Sequence, residues 1–296
     1  MRRGLVFMLG LATLGLVTDS ALAEPVRKVL IIGLDGVRPD TLRAAKTPHV
    51  DALVRRGAVS WTAQASPLTK SGPSWSSLLT GVWESKHKVL SNSFDAPAFD
   101  RYPHFFARAK ELKPELSTAS IVHWLPIQEH IVRGADVAVG LDDDERVERR
   151  AVKLLSEADP DLVFLHFDDV DGAGHFYGYT SGRYRAAIER VDSRVGVVVA
   201  AITKRPRAAD EEWLIIVTTD HGGTGRSHGR DIPEHRTIFF IVSGPGVTRG
   251  ELAGTPTLVD VAPTAMKHLG LEPKRAWSWD GRSVKAPKAA SSAESD

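Results

Sequence analysis

The 296-residue sequence contains no cysteine. That absence excludes disulfides, thiolate metal ligands and a lipid-modified N-terminal cysteine in one stroke. Long hydrophobic runs are scarce as well. The one near the N-terminus, Gly4 to Val17, covers 14 residues, short of the ~20 needed to cross a bilayer, so no stable membrane anchor is expected. An excess of one charge sign is also missing: 38 Lys and Arg stand against 37 Asp and Glu, with no long basic run. A nucleic-acid polymer is therefore not an expected partner, although local groups can still bind a small anion.

What the N-terminus does contain is directional. Arg2 and Arg3 precede the apolar stretch, and Ala21-Leu22-Ala23 supplies the small-x-small pattern of a signal-peptidase site. Residues 1–23 read as a signal peptide cut after Ala23, with a secreted or periplasmic mature chain starting at Glu24. The full 296-residue sequence is 42% hydrophobic, enough for a sizeable core, and residues 24–284 read as a single domain. Residues 285–296, rich in Ala, Ser and charge, lack an apolar face and read as a disordered tail.

Short apolar runs at Lys28–Leu34, Asp161–Phe167, Trp213–Thr219 and Thr237–Ser243 end in polar or glycine-containing loops, as doubly covered strands do. Helical patterns fall between them at Pro48–Arg56, Glu145–Ala158, Ser181–Thr203 and Leu258–Leu269. The economical architecture is α/β: a three-layer α/β/α sandwich around a mostly parallel central sheet.

Metal-type side chains cluster just beyond these runs. Asp35 follows the first, Asp171 and His175 the second, and Asp220, His221 and His228 the third, the last three among the glycines of Thr218-Thr-Asp-His-Gly-Gly-Thr-Gly-Arg-Ser-His-Gly229. Carboxylates mixed with imidazoles suit zinc better than magnesium or calcium, and the carboxyl edge of a parallel sheet is where α/β folds place ligands. Between these groups lies Ser71-Gly-Pro-Ser-Trp-Ser-Ser-Leu-Leu-Thr-Gly81. The proline two residues after Ser71 puts that serine near a helix N-terminus, where it is either a nucleophile among unpaired amides or simply the N-cap.

Taken in order, these motifs resemble the alkaline phosphatase superfamily, and within it the type I phosphodiesterase/nucleotide pyrophosphatase branch. Asp35-Gly36-Val37-Arg38, Ser71-Gly72-Pro73 through Thr80-Gly81, Asp171-Gly172-Ala173-Gly174-His175-Phe176-Tyr177-Gly178, Asp220-His221-Gly222 and His228-Gly229 match its motifs from about Lys28 to Gly246. The resemblance implies an alkaline-phosphatase-like fold and two zinc ions, one held by Asp35, Asp220 and His221 beside Ser71, the other by Asp171, His175 and His228. It further implies Ser71 as the nucleophile that becomes phosphoserine, Asn92 as donor to a non-bridging phosphate oxygen, and a small phosphate ester or nucleotide as substrate. His228 is preferred to His235 as the last ligand, leaving His235 as a surface or rim residue.

Departures from the branch are Lys88, where glycine is usual, and Ser74-Trp75, where nucleotide pyrophosphatases carry Asn-His. Type I sulfatases share the superfamily, but Trp75 stands where their motif has arginine. Phosphomonoesterase and phosphonate hydrolase activities would use the same metals, whereas a zinc-binding protein without turnover would keep the ligands but need not keep Ser71 or Asn92. Trp75, Phe94, Phe176 and Tyr177 could stack on a base or aryl leaving group, or pack in the core. Only Phe94–Ser117 and Val132–Glu148 offer room for substrate-covering insertions, so an open pocket without a separate cap domain is expected.

Overall fold

The computed structural model describes residues 24–285. The expected signal peptide lies outside the described residues, as does the tail past Lys285. Lys285 itself forms an antiparallel bridge with Ala253.

In chain order, β1 (Val26–Leu34) leads into helices α1 (Pro39–Ala44) and α2 (Pro48–Arg56), followed by β2 (Ala58–Gln64). Next come α3 (Ser71–Thr80), α4 (Glu84–His87), α5 (Phe105–Leu112), β3 (Thr118–Val122) and β4 (Val137–Gly140). The middle of the chain supplies α6 (Asp144–Glu157), β5 (Leu162–Phe167), α7 (Asp169–Tyr177), α8 (Gly182–Thr203) and β6 (Glu211–Thr218). The last elements are α9 (Pro233–Arg236), β7 (Thr237–Ser243), β8 (Gly250–Glu251) and α10 (Val261–His268).

One sheet in the order β4-β3-β5-β1-β6-β7-β2-β8 runs through the middle of the molecule. Only β7 opposes the other strands, pairing antiparallel with both β6 and β2. Both faces are covered, and β1 shows why its sequence is continuously apolar rather than alternating. Val29 and Ile31 enter the core on the α3 and α10 side, while Leu30, Ile32 and Leu34 enter the core beneath α2, α6 and α8. The three-layer expectation is borne out.

Local signals account for the helices that cover the sheet. α2 starts with Pro48 in its first turn, buries Val50 and Leu53, and stops at Gly57. α6 is capped by the Asp143 carboxylate accepting the Arg146 amide, and α8 by the Ser181 hydroxyl accepting the Tyr184 amide. Four strands escape a reading of the sequence. β3, β4 and β8 are short, at five, four and two residues, and in the seven-residue β2, Ala58-Val-Ser-Trp-Thr-Ala-Gln64, polar residues interrupt the apolar run. Of the two stretches with room for substrate-covering insertions, residues 132–148 contribute the edge strand β4 to the sheet. Likewise, Phe94–Ser117 carries α5, whose Phe105 and Phe106 are core residues.

Register fixes where the functional side chains emerge. Gly33 of β1 pairs with His166 of β5 on one side and Thr218 of β6 on the other. The three strands therefore end level, and the segments after them share one edge of the sheet.

Candidate metal centre and nucleophile

Asp35, the first residue beyond β1, is fully buried. Its Oδ2 accepts the Trp75 indole N–H at 2.9 Å and lies 3.0 Å from His166 Nε2. Its Oδ1 has no hydrogen-bond partner and faces His221 Nε2 at 3.6 Å. Asp220, also fully buried, accepts the Gly36 amide on Oδ1 at 3.1 Å and leaves Oδ2 unpartnered, 3.1 Å from the same His221 nitrogen. His221 Nδ1 sits 2.9 Å from the Gly222 carbonyl. A carbonyl only accepts, so Nδ1 carries the proton and Nε2 keeps its lone pair.

Three unpartnered donor atoms thus converge in a buried interior, an arrangement that costs stability unless a cation or protons fill it. Burial and then the Asp220 charge push the Asp35 carboxyl well above its ordinary range, and burial with Asp171 does the same to Asp220. Burial also pushes the His221 imidazole down to about 3. The chemistry of this donor set fits a divalent metal.

The second group grows from α7. Asp171 and His175 are one turn apart, so both side chains leave the same helix face, with Asp171 Oδ2 3.1 Å from His175 Nε2. The expected loop after β5 is this helix, despite Gly172 and Gly174, each costing roughly 1 kcal/mol in a helix interior. Gly174 is needed there, since a Cβ would lie 2.6 Å from the Tyr179 ring. The Tyr179 hydroxyl donates to Asp171 Oδ1. Gly36, at φ +64°, admits the carboxylate, because a Cβ there would fall 2.2 Å from Asp171 Oδ1.

His175 Nδ1 lies 3.0 Å from the Arg226 carbonyl and His228 Nδ1 2.7 Å from the Thr69 carbonyl. Both imidazoles therefore turn Nε2 inward, and these two atoms are 3.1 Å apart. Bonding to Asp171 raises His175 to about 9; a proton there occupies the place a cation would take. Asp171, His175 and His228 each offer a donor atom within 4.8 Å of one another, and so do Asp35, Asp171 and His221. Asp171 belongs to both sets, making the two groups one continuous cluster.

Ser71 opens α3, with Lys70 as its N-cap, so the serine is not the cap. The neighbouring hydroxyl is committed elsewhere. Thr69 Oγ1 is buried, donates to the Arg230 carbonyl at 3.0 Å and accepts the Gly229 amide at 3.1 Å. Together with its carbonyl bond to His228, Thr69 fastens the glycine-rich loop to the start of α3. Asn92 is exposed, and its Oδ1 accepts the Gly72 amide at 2.8 Å. That contact orients the side-chain amide so that Nδ2, a donor, remains free beside the helix N-terminus.

The structure brings together Asp35, Asp171, His175, Asp220, His221 and His228, and places Ser71 and Asn92 at the adjoining helix start. It corrects His235, which is fully buried rather than at the surface or rim. Its Nε2 lies 2.9 Å from Thr224 Oγ1 and its Nδ1 accepts the Arg230 amide at 3.1 Å, so it braces the loop. Trp75 and Phe94 are core side chains; Phe176 and Tyr177 are exposed.

Sequence reasoning missed His166 and Asp168, which with Asp35 form a further group of close donor atoms. A signal for His166 existed: a histidine inside the apolar run Leu162-Val-Phe-Leu-His-Phe167, with period 2 putting it on the face of Phe164. His123, Asp144 and Asp169 also approach one another. That group is internally satisfied, since Asp144 accepts the Asp168 and Asp169 amides at 2.8 and 3.2 Å and lies 2.7 Å from His123 Nδ1.

Comparison with known proteins follows the same lines. The family model for type I phosphodiesterase / nucleotide pyrophosphatase matches residues 29–132 and 117–235. Human bis(5'-adenosyl)-triphosphatase ENPP4 is 26% identical over 245 residues, covering 75% of this chain and 52% of that protein. Rat ectonucleotide pyrophosphatase/phosphodiesterase family member 7 is 28% identical over 223 residues, covering 67% and 50%. The chain thus spans about half the length of these relatives. Among solved structures, murine ectonucleotide pyrophosphatase/phosphodiesterase 5 superposes with a TM-score of 0.66 at 16% identity, covering 83% of this chain and 95% of that one. A 2-O GAG sulfatase gives a TM-score of 0.71 at 16% identity, covering 88% and 73%. These likenesses establish the alkaline-phosphatase-like fold.

Proposed function

The chain belongs to the type I phosphodiesterase / nucleotide pyrophosphatase family, and from that membership we propose that it is a zinc-dependent phosphoric ester hydrolase acting through a phosphoseryl intermediate on Ser71. The observation carrying this reading is the set of buried donor atoms without partners, Asp35 Oδ1, Asp220 Oδ2 and His221 Nε2, beside the helix that starts with Ser71. In this reading Asp35, Asp220 and His221 hold one zinc and Asp171, His175 and His228 the other. Two such ions supply Lewis acidity and neutralise phosphoryl charge during in-line displacement.

The chain's own residues then divide the work. Ser71 Oγ attacks phosphorus as its proton passes to solvent, the P–O bond to the leaving group breaks on the opposite side, and a phosphoserine remains for water to hydrolyse. The start of α3 favours negative charge on the phosphoryl group through its free amides and dipole. Asn92 Nδ2, held outward by the Gly72–Oδ1 bond, donates to a non-bridging oxygen. Carbonyl bonds at the Nδ1 atoms of His175, His221 and His228 keep the three Nε2 lone pairs pointed inward.

A diester or pyrophosphate of a small nucleotide is the substrate class we favour, in line with the activity named for the human relative. We also place the mature protein outside the cytoplasm, beginning at Glu24. Parallel rates on nitrophenyl phosphate, bis-nitrophenyl phosphate, thymidine nitrophenyl phosphate and nitrophenyl sulfate test the reading, with the diesters expected to lead. Chelation should abolish those rates and zinc restore them; full activity in metal-free protein, or a preference for the sulfate, overturns the proposal. N-terminal sequencing of exported protein checks the start at Glu24.

A further inference from the structure

We infer that Trp75 and His166 are positioning residues that orient the Asp35 carboxylate for metal binding and tie its orientation to the helix bearing Ser71. This rests on the proposed metal centre and concerns residues outside the ligand set. A carboxylate offers about four lone-pair positions across two oxygens. In Asp35, two N–H donors converge on Oδ2, from Trp75 Nε1 at 2.9 Å and His166 Nε2 at 3.0 Å. His166 is the donor, because its Nδ1 already faces the Trp124 amide at 3.4 Å. Oδ1 is thereby left bare and turned toward His221.

The surrounding sequence is shaped to admit this clamp. Gly33, Asp35 and His166 emerge on the same face of the sheet, since Gly33 is two residues before Asp35 and in register with His166. A Cβ on Gly33 would stand 2.5 Å from Trp75 Cη2 and 2.7 Å from Cζ3. The glycine therefore leaves the hollow that the indole fills on its way to Asp35. The indole also meets His166 edge-on, with ring centroids 4.9 Å apart. Trp75 follows Ser71 by four residues on α3, one helical turn. A rotation of that helix that moved Ser71 would also break the indole bond, so nucleophile and ligand are held in one frame. Ordinary core packing explains a buried tryptophan. It does not explain two buried donors spent on one oxygen while the other is left empty.

The test is zinc titration against a competing chelator, with thermal melts of metal-free and zinc-loaded protein. Trp75→Phe retains the ring and loses the donor. It should weaken the site containing Asp35 by ~10- to 100-fold, the usual effect of losing an outer hydrogen bond to a ligand, while the site of Asp171, His175 and His228 keeps its affinity. The zinc-induced gain in melting temperature should shrink in addition to the drop in the metal-free melt that the smaller buried ring and the lost hydrogen bond cause. His166→Leu should act in the same way and His166→Gln, which retains a donor, should restore part of the affinity, so the inference stays testable if Trp75→Phe folds poorly. Wild-type zinc affinity at both sites in Trp75→Phe and His166→Leu would overturn the clamp. A wild-type protein that takes up no zinc would instead overturn the metal centre itself.

Discussion

The two edges of the central sheet are built from similar residue types and solve opposite problems. At the edge where β1, β5 and β6 begin, Lys28 is buried with its ammonium 2.9 Å from Asp159 and 3.0 Å from Asp161. Arg205 grips Glu211 through two bonds of 2.7 and 2.9 Å and reaches Asp159 at 2.7 Å, while the Trp213 indole donates to Glu211 at 2.8 Å. Every buried charge there meets its opposite. At the other edge Asp35, Asp171 and Asp220 lie together with histidines turned lone pair inward, and among the described residues no lysine ammonium or arginine guanidinium is paired with them. A buried network that closes on itself offsets its own desolvation cost; one left open needs a ligand from outside. The lesson is that burial of charge does not mark a functional site, whereas burial of charge without compensation does.

The largest effect that could break this contrast is at Ser71. Ser71→Ala should lower kcat by on the order of 10⁴- to 10⁶-fold, the scale for removing a covalent nucleophile, with zinc content and circular dichroism unchanged. Near-wild-type turnover would mean that the open edge is not a reaction centre organised around this serine.

Within the open edge, two histidines should separate. His228→Ala should cost one metal site more than the ~10- to 100-fold expected for an outer partner. His235→Ala should retain both sites and lose roughly 1–3 kcal/mol of stability, because it leaves buried partners unsatisfied. Equilibrium dialysis with zinc and urea melts read the two quantities; equal metal loss in both variants would erase the distinction.

At the closed edge, Arg205→Met should destabilise by about 3–5 kcal/mol, the cost of stranding a buried partner charge, while kcat per folded molecule stays at the wild-type value. Urea unfolding and initial rates on the same samples check this. A lost rate without lost stability would show that the two edges are coupled.

A smaller effect sharpens the comparison through a buried group belonging to neither edge. His87, on α4, is fully buried, with Nε2 2.9 Å from Ser77 Oγ and Nδ1 accepting the Val89 amide at 3.1 Å. Burial pushes its pKa down to about 4 from the ordinary 6.5. The unfolded chain then binds the extra proton first, so this contribution is complete above pH 6.5 and falls as pH drops toward 4, by up to about 3 kcal/mol. Urea midpoints of metal-free wild type and His87→Gln at pH 7 and pH 4.5 isolate it; identical pH slopes in the two proteins would refute it.

Much of the molecule was legible before folding was considered. β7 and α2 begin and end where the residue pattern places them, and β1, β5, β6, α6 and α8 do so within a few residues, because apolar periodicity and caps are local properties. The six Asp and His candidates were legible from their position just after strands. β3 and β4 were not, because five or four residues carry too little pattern to separate a strand from a loop. The helical state of Asp169–Tyr177 was hidden by Gly172 and Gly174, which argue locally for a loop and are overruled by packing of Tyr179 against Gly174.

Residue order alone therefore determined the α/β class, the family resemblance and the identity of the donor atoms on offer, since each depends on residue types and spacings within short segments. Tertiary structure decided what those atoms face. Register across β5, β1 and β6 makes β1 end level with two strands more than a hundred residues further along the chain, and no local pattern encodes that alignment. Carbonyls contributed by Thr69, Gly222 and Arg226 select the inward nitrogen of each imidazole. The same packing hides His235 and sets Trp75 and His166 on one oxygen of Asp35. Whether a side chain is ligand, brace or clamp depends on which partners have already satisfied its polar atoms, and those partners are chosen in three dimensions.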